Sequence, residues 1–514
     1  GSSSHYIGLI IDRLKRGENI IVPSTNQKFI QALERMVIKQ MPELKKSIVR
    51  LDAKTAPDLH DLLTDPDAWL AKNPIRLLLL SPTVESGFSI KLNPIKHWFD
   101  REMACFTNLD TRTHIQLLSR DRSNCPRDIF VLAKGAEAGS ARGRDPVALL
   151  QMRKAIANET SLLHGASRIP MSAQGEVWNW LDSQFSIRSY LSSKYMAEYL
   201  ELDLIARGHN VTQVDWEEVR LQELADNKTE DAVPSKELGV IFKKTKLMIL
   251  QEDNKVLYLS KGKDIDIFKA QAILHSSSST FEQKQQAVKC MLHDRLPSIE
   301  LTEEFLMELW SMNNGLYLKQ CELSWLLRYP DLAKHLERAI YAHQIQQPHV
   351  LYSQTPKLFQ KIQLLLPILS YINDLATGRE YMAGDEAVIA IVQYALKHSK
   401  KFFNLFNLNI KDESVLGKGN GAGSTQNSSI ATVNKIIKLL GYQAESVRRV
   451  GKAGAQERVY AVGNGNCPHR QEVYNALDYK HRAYLLDGLL PEDIALFFNS
   501  IPNIKSAAMQ SAEL

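Results

Sequence analysis

The chain has 514 residues, of which 24% are charged and 44% hydrophobic, and a formal net charge of +5. That length has room for about two to four domains with substantial cores, and the composition excludes a fibrous or disordered protein. No apolar run reaches the roughly 20 residues a membrane helix needs, and the near-balanced charge permits a nucleic-acid partner without demanding one.

The opening "GSSSHYIGLI" has neither an initiator Met nor a signal-peptide pattern, so a longer protein extending upstream is expected. "HYIGLIIDRLKRGE" reads as a helix and "NIIVPS" as a buried strand. "TNQKFIQALERMVIKQ" is a second helix, capped by Ser24 or Thr25. "SIVRLDA", "RLLLLSP", "MACFTN" and "RDIFVLA" supply further strands. Short continuous apolar strands separated by helices indicate a parallel sheet covered on both faces. In such a doubly wound α/β domain the ligand crevice lies beyond the carboxyl ends of the strands. Polar groups follow the strands accordingly: Ser24, Thr25 and Asn26 after the first, Ser81 to Ser89 after the third, Asn108 to Thr113 after the fourth.

"THIQLLSRDR" predicts a helix ending in the arginines Arg120 and Arg122, just before a proline stop. Such a helix end can aim guanidinium forks at a phosphate, or it can be a solvated surface. The Gly/Ala/Arg-rich "KGAEAGSARGRDP" is then a linker or a basic loop. The middle of the chain is mostly helical, interrupted by a possible strand pair in "GHNVTQVDW". One of its helices carries Arg188 and Lys194 among Tyr190, Tyr195 and Tyr199, either a nucleic-acid contact or a set of core aromatics.

"KDESVLGKGNGAGSTQNSS" is a polar linker or long loop. The helix "SSIATVNKIIKLLG" places Val433, Ile436, Ile437 and Leu440 on one face and leaves Asn434, Lys435 and Lys438 outward. Two strands follow in "ESVRRVGKAGAQERVYAV", joined around Gly451, Lys452 and Gly454. From Lys435 to Arg458 there are six Lys or Arg against two Glu, Arg448 and Arg449 among them. A helix followed by a basic hairpin reads as a winged-helix-like module whose helix enters a DNA groove while the hairpin meets backbone. The alternative is a structural cap or a protein-docking module.

The five cysteines, Cys105, Cys125, Cys290, Cys321 and Cys467, have no ligand spacing, which suggests a reducing, cytoplasmic setting. Cys467 and His469 are two donors where a tetrahedral site needs four, so no metal site is expected. No G-x-x-x-x-G-K-[ST] phosphate loop occurs. A nucleotide would therefore be met from one side, with arginines from this chain and the phosphate loop from elsewhere.

Taken together, "NIIVPSTNQKFIQAL", "VRLDAKTAPD", "IRLLLLSPTVESGFSI", "FDREMACFTN" and "THIQLLSRDRSNCPRDIFVLAKG" resemble the second RecA-like domain of a superfamily 2 helicase. More closely they resemble the helicase half of cyanobacterial plasmid replication proteins of the origin-binding primase–helicase family. The matching core covers about a quarter of the chain, and the carboxyl-terminal region is similar more weakly.

The resemblance implies roles for particular residues. Thr83, Ser86, Gly87 and Ser89 would link nucleotide state to strand contact. Gln116, Arg120 and Arg122 would face the nucleotide as the arginine-finger motif. Ser24, Thr25 and Asn26 would contact the nucleic-acid backbone, joined by Arg188, Lys194, Asn434, Lys435, Lys438, Arg448, Arg449, Lys452 and Arg458 as DNA contacts. Two departures stand out: Ser89 replaces an acidic residue, and Ser119 with Arg120-x-Arg122 replaces a Gly followed by Arg-x-x-Arg.

The expected fold is an α/β RecA-like domain (residues 1–134), a large mostly helical region (135–410), a linker (411–429) and a small winged-helix-like α+β domain with a helical tail (430–514). The expected function is the carboxyl-terminal part of an ATP-dependent DNA helicase acting in plasmid replication. ATP and Mg²⁺ would serve the full-length protein, while this stretch requires neither and is a poor ATPase alone. Its partners would be single-stranded or forked DNA, origin duplex, and upstream RecA-like and primase-like domains, with no membrane. The alternatives are a non-enzymatic DNA-binding or loading factor with a degenerate helicase lobe, and a scaffold that docks replication proteins.

Overall fold

The computed structural model describes residues 3–82, 88–91, 98–107, 109–122, 125–132, 145–166, 171–227, 232–262, 265–276, 279–346, 350–410, 426–451, 457–463 and 469–487. Thr83, Ser86, Gly87 and Lys452 lie outside them. The chain divides into two compact units, residues 1–137 with 188–290 and residues 138–187 with 291–514. Residues 135–410, expected as one helical region, are thus shared between the two.

The first unit begins with α1 (Ser3–Lys15), β1 (Ile20–Pro23), α2 (Gln27–Gln40), β2 (Ile48–Leu51), α3 (His60–Thr64) and α4 (Pro66–Lys72). It continues through β3 (Leu77–Leu80), β4 (Arg101–Phe106), α5 (Thr111–Leu118) and β5 (Arg127–Val131). The strands form one parallel sheet in the order β2-β3-β1-β4-β5, with Ile20 opposite Leu77 and Glu102 opposite Arg127. Successive strand side chains point to opposite faces. Ile20 and Val22 therefore join Leu77, Leu79 and Met103 under Tyr6, Ile10 and Leu14 of α1 and Phe29, Leu33 and Val37 of α2. Ile21, Leu78 and Leu80 face the other way, onto Leu62, Leu70, Phe88, Ile90 and Phe99. Both faces are covered, which is why these strands read as unbroken apolar runs.

Helix α2 is capped by Asn26, not by Ser24 or Thr25: its side chain accepts the Phe29 N–H at 3.1 Å. Ser24 still belongs to the sheet, bridged to Cys105 and fully buried, and Thr25 Oγ1 is tied to Thr107. The sheet therefore reaches Ser24, where the sequence reading ends the strand, and the capping role falls to Asn26.

Further along run α6 (Pro146–Leu163), α7 (Ala173–Lys194), α8 (Met196–Ala206), α9 (Trp216–Asp226), α10 (Ser235–Leu259), α11 (Ile267–His275) and α12 (Phe281–Arg295). Within the first unit, α10 packs across α1 and α2, adding a layer outside the α/β sandwich. Ion pairs of Arg35 with Glu252 and of Lys28 and Lys54 with Asp253 line that contact. From α9, Arg220 reaches Asp12 of α1 at 2.8 Å, with both side chains nearly excluded from solvent. Gly8 gives that guanidinium its space, since a Cβ there would lie 2.2 Å from Arg220 Cζ. The stretch "GHNVTQVDW" holds no strand: residues 209–215 connect α8 to α9, and Asp215 caps α9 by accepting the Glu217 N–H at 2.8 Å. Val211 and Val214, three residues apart, lack the two-residue alternation of a strand, and among the described residues no strand pairs with them.

The second unit takes in α6 and then α13 (Glu303–Leu306), α14 (Leu316–Leu326), α15 (Pro330–Ile345), α16 (Leu358–Leu365), α17 (Leu369–Ala376), α18 (Glu386–Lys397) and α19 (Ser399–Phe406). Helix α20 (Gln426–Leu439), the antiparallel hairpin β6 (Ala444–Val450) and β7 (Glu457–Val462), α21 (Arg470–Lys480) and α22 (Arg482–Asp487) follow. As the spacing predicts, Val433, Ile436, Ile437 and Leu440 are buried. They pack toward α18, while α17 touches β7 and α14 carries α21. Trp325 of α14 donates its indole N–H to Asp478 of α21 at 2.8 Å. Residues 430–487 thus pack against helices that precede residue 411.

Candidate functional site

In the first unit, α5 stops at Leu118, and Ser119 ends it by donating its backbone N–H to Ile115 O. Arg120 thus stands in the turn that closes the helix, donating its N–H to Leu117 O at 3.1 Å, and Arg122 lies just beyond it. The Arg120–Arg122 segment is clasped to the strip following β3. Ile90 N–H donates to Arg120 O at 2.8 Å, and Arg122 N–H donates to Ile90 O at 3.1 Å. Arg120 adds a side-chain strut, Nη1 to Phe88 O at 3.0 Å, and burial lowers its pKa. Ser89 sits between Phe88 and Ile90 with its Oγ buried and, among the described residues, without a hydrogen-bond partner. Gln116 and Arg122 are exposed. The clasp joins Arg120 and Arg122 to Phe88 and Ile90, on either side of Ser89, which is the one described member of the Thr83, Ser86, Gly87 and Ser89 set.

The arginines lie at the amino-terminal edge of the sheet. Arg127, the first residue of β5, donates from Nη2 to Asp121 O at 2.9 Å and pairs through Nε with Glu102, the second residue of β4. Burial pushes the Glu102 carboxyl up to about 8, opposed by Arg127. Asp100 accepts the Asn19 N–H at 2.7 Å and so ties the residue before β1 to the residue before β4.

At the opposite, carboxyl-terminal edge stand Ser24, Thr25 and Asn26. Each is already engaged: Ser24 Oγ accepts the Asn26 N–H at 3.1 Å, and Thr25 Oγ1 donates to Thr107 O at 2.8 Å and accepts the Thr107 N–H at 2.6 Å. Asn26 caps α2. What this edge offers a ligand is chiefly the amino end of α2 rather than loose hydroxyls.

Arg188 and Lys194 are exposed, and Lys194 Nζ lies 5.1 Å from the Tyr195 ring centre and 5.8 Å from that of Tyr190. The helix breaks at Tyr195 into α7 and α8, and Tyr199 is exposed, so these aromatics are a surface group rather than core.

In the second unit, Lys435 and Lys438 are exposed along α20, spaced as neighbours on one helical face. Asn434 is half-buried and accepts the Tyr381 hydroxyl at 3.1 Å. Arg449 and Arg458 are exposed and directly opposite each other across β6 and β7, a like-charge placement that isolated strands avoid. Arg448 is exposed and forked onto Glu380, with Nη2 at 2.6 Å and Nε at 3.0 Å from one carboxylate oxygen. Sequence reasoning missed Glu380 and Tyr381; the only local sign was a polar turn between two helices. Among the described residues no cluster of His, Cys, Asp or Glu could hold a metal ion, and no helix is long and apolar enough to cross a membrane. Comparison of the chain with protein-family models and with curated proteins finds no match in either.

Proposed function

We propose that this chain is the finger-bearing, carboxyl-terminal part of an ATP-dependent DNA helicase of the plasmid-replication type. The observation that carries the reading is the backbone clasp between Ile90 and the Arg120–Arg122 segment. It couples the strip after β3 mechanically to the residues that would meet a nucleotide. In a helicase, nucleotide state has to be passed to nucleic-acid contacts, and a short rigid bridge between loops is a means of passing it. The finger residues and the amino end of α2 lie at opposite edges of one parallel sheet, so nucleotide and strand would be handled at separate places. The phosphate loop and the Mg²⁺ ligands would belong to a preceding domain. This chain fits ATP only as a partial site, through Arg122, with Arg120 holding the clasp. On its own it is expected to be a poor ATPase, since most of the electrostatic stabilisation is then missing.

The second unit supplies the DNA-binding module in this reading. Helix α20, packed on α18 and followed by a basic hairpin that α17 touches, supports reading this part as a winged helix. Lys435 and Lys438 would enter a groove while Arg449 and Arg458 meet backbone phosphates.

The test is fluorescence anisotropy of the chain with labelled forked and duplex DNA across a salt series. Paired substitutions Lys435→Ala with Lys438→Ala, and Arg449→Ala with Arg458→Ala, should each weaken binding and flatten its salt dependence by about 0.9 for each phosphate that is no longer neutralised. Unchanged binding in both would remove DNA from this surface. In a longer protein that includes the preceding domain, Arg122→Ala should cut ATPase activity by about a thousandfold.

A second reading, a DNA-binding or loading factor with a degenerate lobe, draws on Arg120 and Thr25, whose polar groups are spent on the chain itself. DNA binding with no effect of Arg122→Ala on ATPase activity would favour it.

A further inference from the structure

Between the carboxyl ends of α5 and α8 lies a cavity of about 270 Å³, lined on one side by Ile115, Leu118 and Leu204. Its other side gathers Arg122, Arg127, Arg207 and His209 around Ser119 and Asp121. Arg207 closes α8, and Gly208 takes a left-handed φ of +86°, so the chain reverses there. His209 then donates its backbone N–H to Leu204 O at 3.1 Å. This turn sets Arg207 and His209 on either side of one glycine and brings both to the cavity. Helix carboxyl ends favour nearby cations, which accounts for the arginines being tolerated together there. It does not neutralise them. Among the described residues neither Arg122 nor Arg207 is ion-paired, and only Arg127 has its carboxylate, Glu102. The Asp121 carboxylate is the single acidic group in the lining.

We propose that this cavity binds the polyphosphate tail of a nucleotide, with Arg122 and Arg207 as the forks that grip phosphate oxygens and His209 at the rim. Planar guanidinium groups match phosphate oxygens two at a time, and two such groups, one from the segment after α5 and one from the end of α8, define a site for adjacent phosphates. The volume lies just below that of ordinary small-molecule sites, about 300–1,000 Å³, and suits phosphates better than a whole nucleotide. The apolar wall of Ile115, Leu118 and Leu204 shields one side from water and strengthens the charge interaction. The proposal deepens the helicase reading, because it shares Arg122 with the finger motif. Arg207 and His209 belong to the cavity alone.

The test is isothermal titration calorimetry of the whole chain with inorganic tripolyphosphate, and with inorganic phosphate and a short single-stranded DNA as the comparison ligands. Tripolyphosphate should bind, phosphate more weakly, and Arg207→Ala and Arg122→Ala should each weaken tripolyphosphate binding by about tenfold or more. Arg207 is exposed at a helix end, so its replacement should leave the circular dichroism spectrum unchanged. The His209 ring protons should shift in NMR spectra on addition of tripolyphosphate, assigned by their loss in His209→Gln. Absence of binding, or binding that Arg207→Ala leaves intact, overturns the proposal. Tighter binding of the DNA than of tripolyphosphate at this site, lost in Arg207→Ala, also overturns it in favour of a backbone contact. The helicase reading is judged separately: if Lys435→Ala with Lys438→Ala still weakens DNA binding while tripolyphosphate does not bind, only the cavity assignment fails.

Discussion

Tyr381 and Tyr460 exchange both of their backbone hydrogen bonds, Tyr381 N–H to Tyr460 O at 2.8 Å and Tyr460 N–H to Tyr381 O at 2.9 Å. A residue between α17 and α18 thereby forms a single antiparallel bridge to the basic hairpin. The Tyr381 side chain is buried and its hydroxyl reaches Asn434 of α20, so one residue holds helix and hairpin together.

This pairing predicts how the carboxyl-terminal part can be cut. A fragment of residues 430–514 should show poor amide dispersion in NMR spectra, since it leaves behind Tyr381, α18 and Trp325. In the whole chain, Tyr381→Ala should cost about 3 kcal/mol, as expected for a large buried aromatic. Its signature would be faster hydrogen exchange at the Tyr460 amide than at amides of the parallel sheet.

Arg120 and Arg122 should separate by experiment although they are two residues apart. Replacing Arg120 with Ala removes the strut to Phe88 O and should lower stability by about 1–3 kcal/mol. The exposed Arg122 should tolerate Ala within about 0.5 kcal/mol. Thermal denaturation of the two variants checks this directly, and equal losses would count against the clasp.

His114 makes stability depend on pH. Its ring is fully buried, stacked on Phe106 with centres 4.5 Å apart, and burial pushes its pKa down to about 4 against the opposing pull of Asp110. The unfolded chain binds this proton near pH 6.5, so between that value and about 4 the unfolded state holds more protons. The contribution is present above the unfolded value and is lost as pH falls, at up to roughly 1.4 kcal/mol per pH unit. Urea denaturation of His114→Phe should show a shallower loss of stability over that acid range.

The Arg220–Asp12 ion pair of the first unit is nearly excluded from solvent. Arg220 also donates to Ser235 Oγ at 2.6 Å and Val233 O at 2.9 Å, so its guanidinium is held from several sides. Asp12→Ala would leave a buried cation without its counter-charge and should cost about 3–5 kcal/mol. Gly8→Ala should also destabilise, although alanine is the better helix former, because its Cβ would displace Arg220. Chemical denaturation measures both; a Gly8→Ala variant more stable than the parent would contradict this packing.

Much of the architecture is decided within short windows of the sequence. The runs "NIIVPS", "RLLLLSP" and "MACFTN" can satisfy their apolar residues only as strands covered on both faces, and they form one parallel sheet. The spacing of Val433, Ile436, Ile437 and Leu440 settles which face of α20 is buried, because a helix brings those positions together whatever lies opposite. What lies opposite is a tertiary matter. No local pattern says that α10 covers α1 and α2, that Tyr381 pairs with Tyr460, or that the Thr25 hydroxyl is spent on Thr107. Those depend on contacts between residues tens to hundreds of positions apart. The candidate site divides in the same way. The types and spacing of Arg120 and Arg122 are legible in the chain, but their clasp to Ile90 is not. The meeting of Arg122 with Arg207 and His209 at one cavity is equally hidden, because it exists only once α5 and α8 pack with their carboxyl ends together.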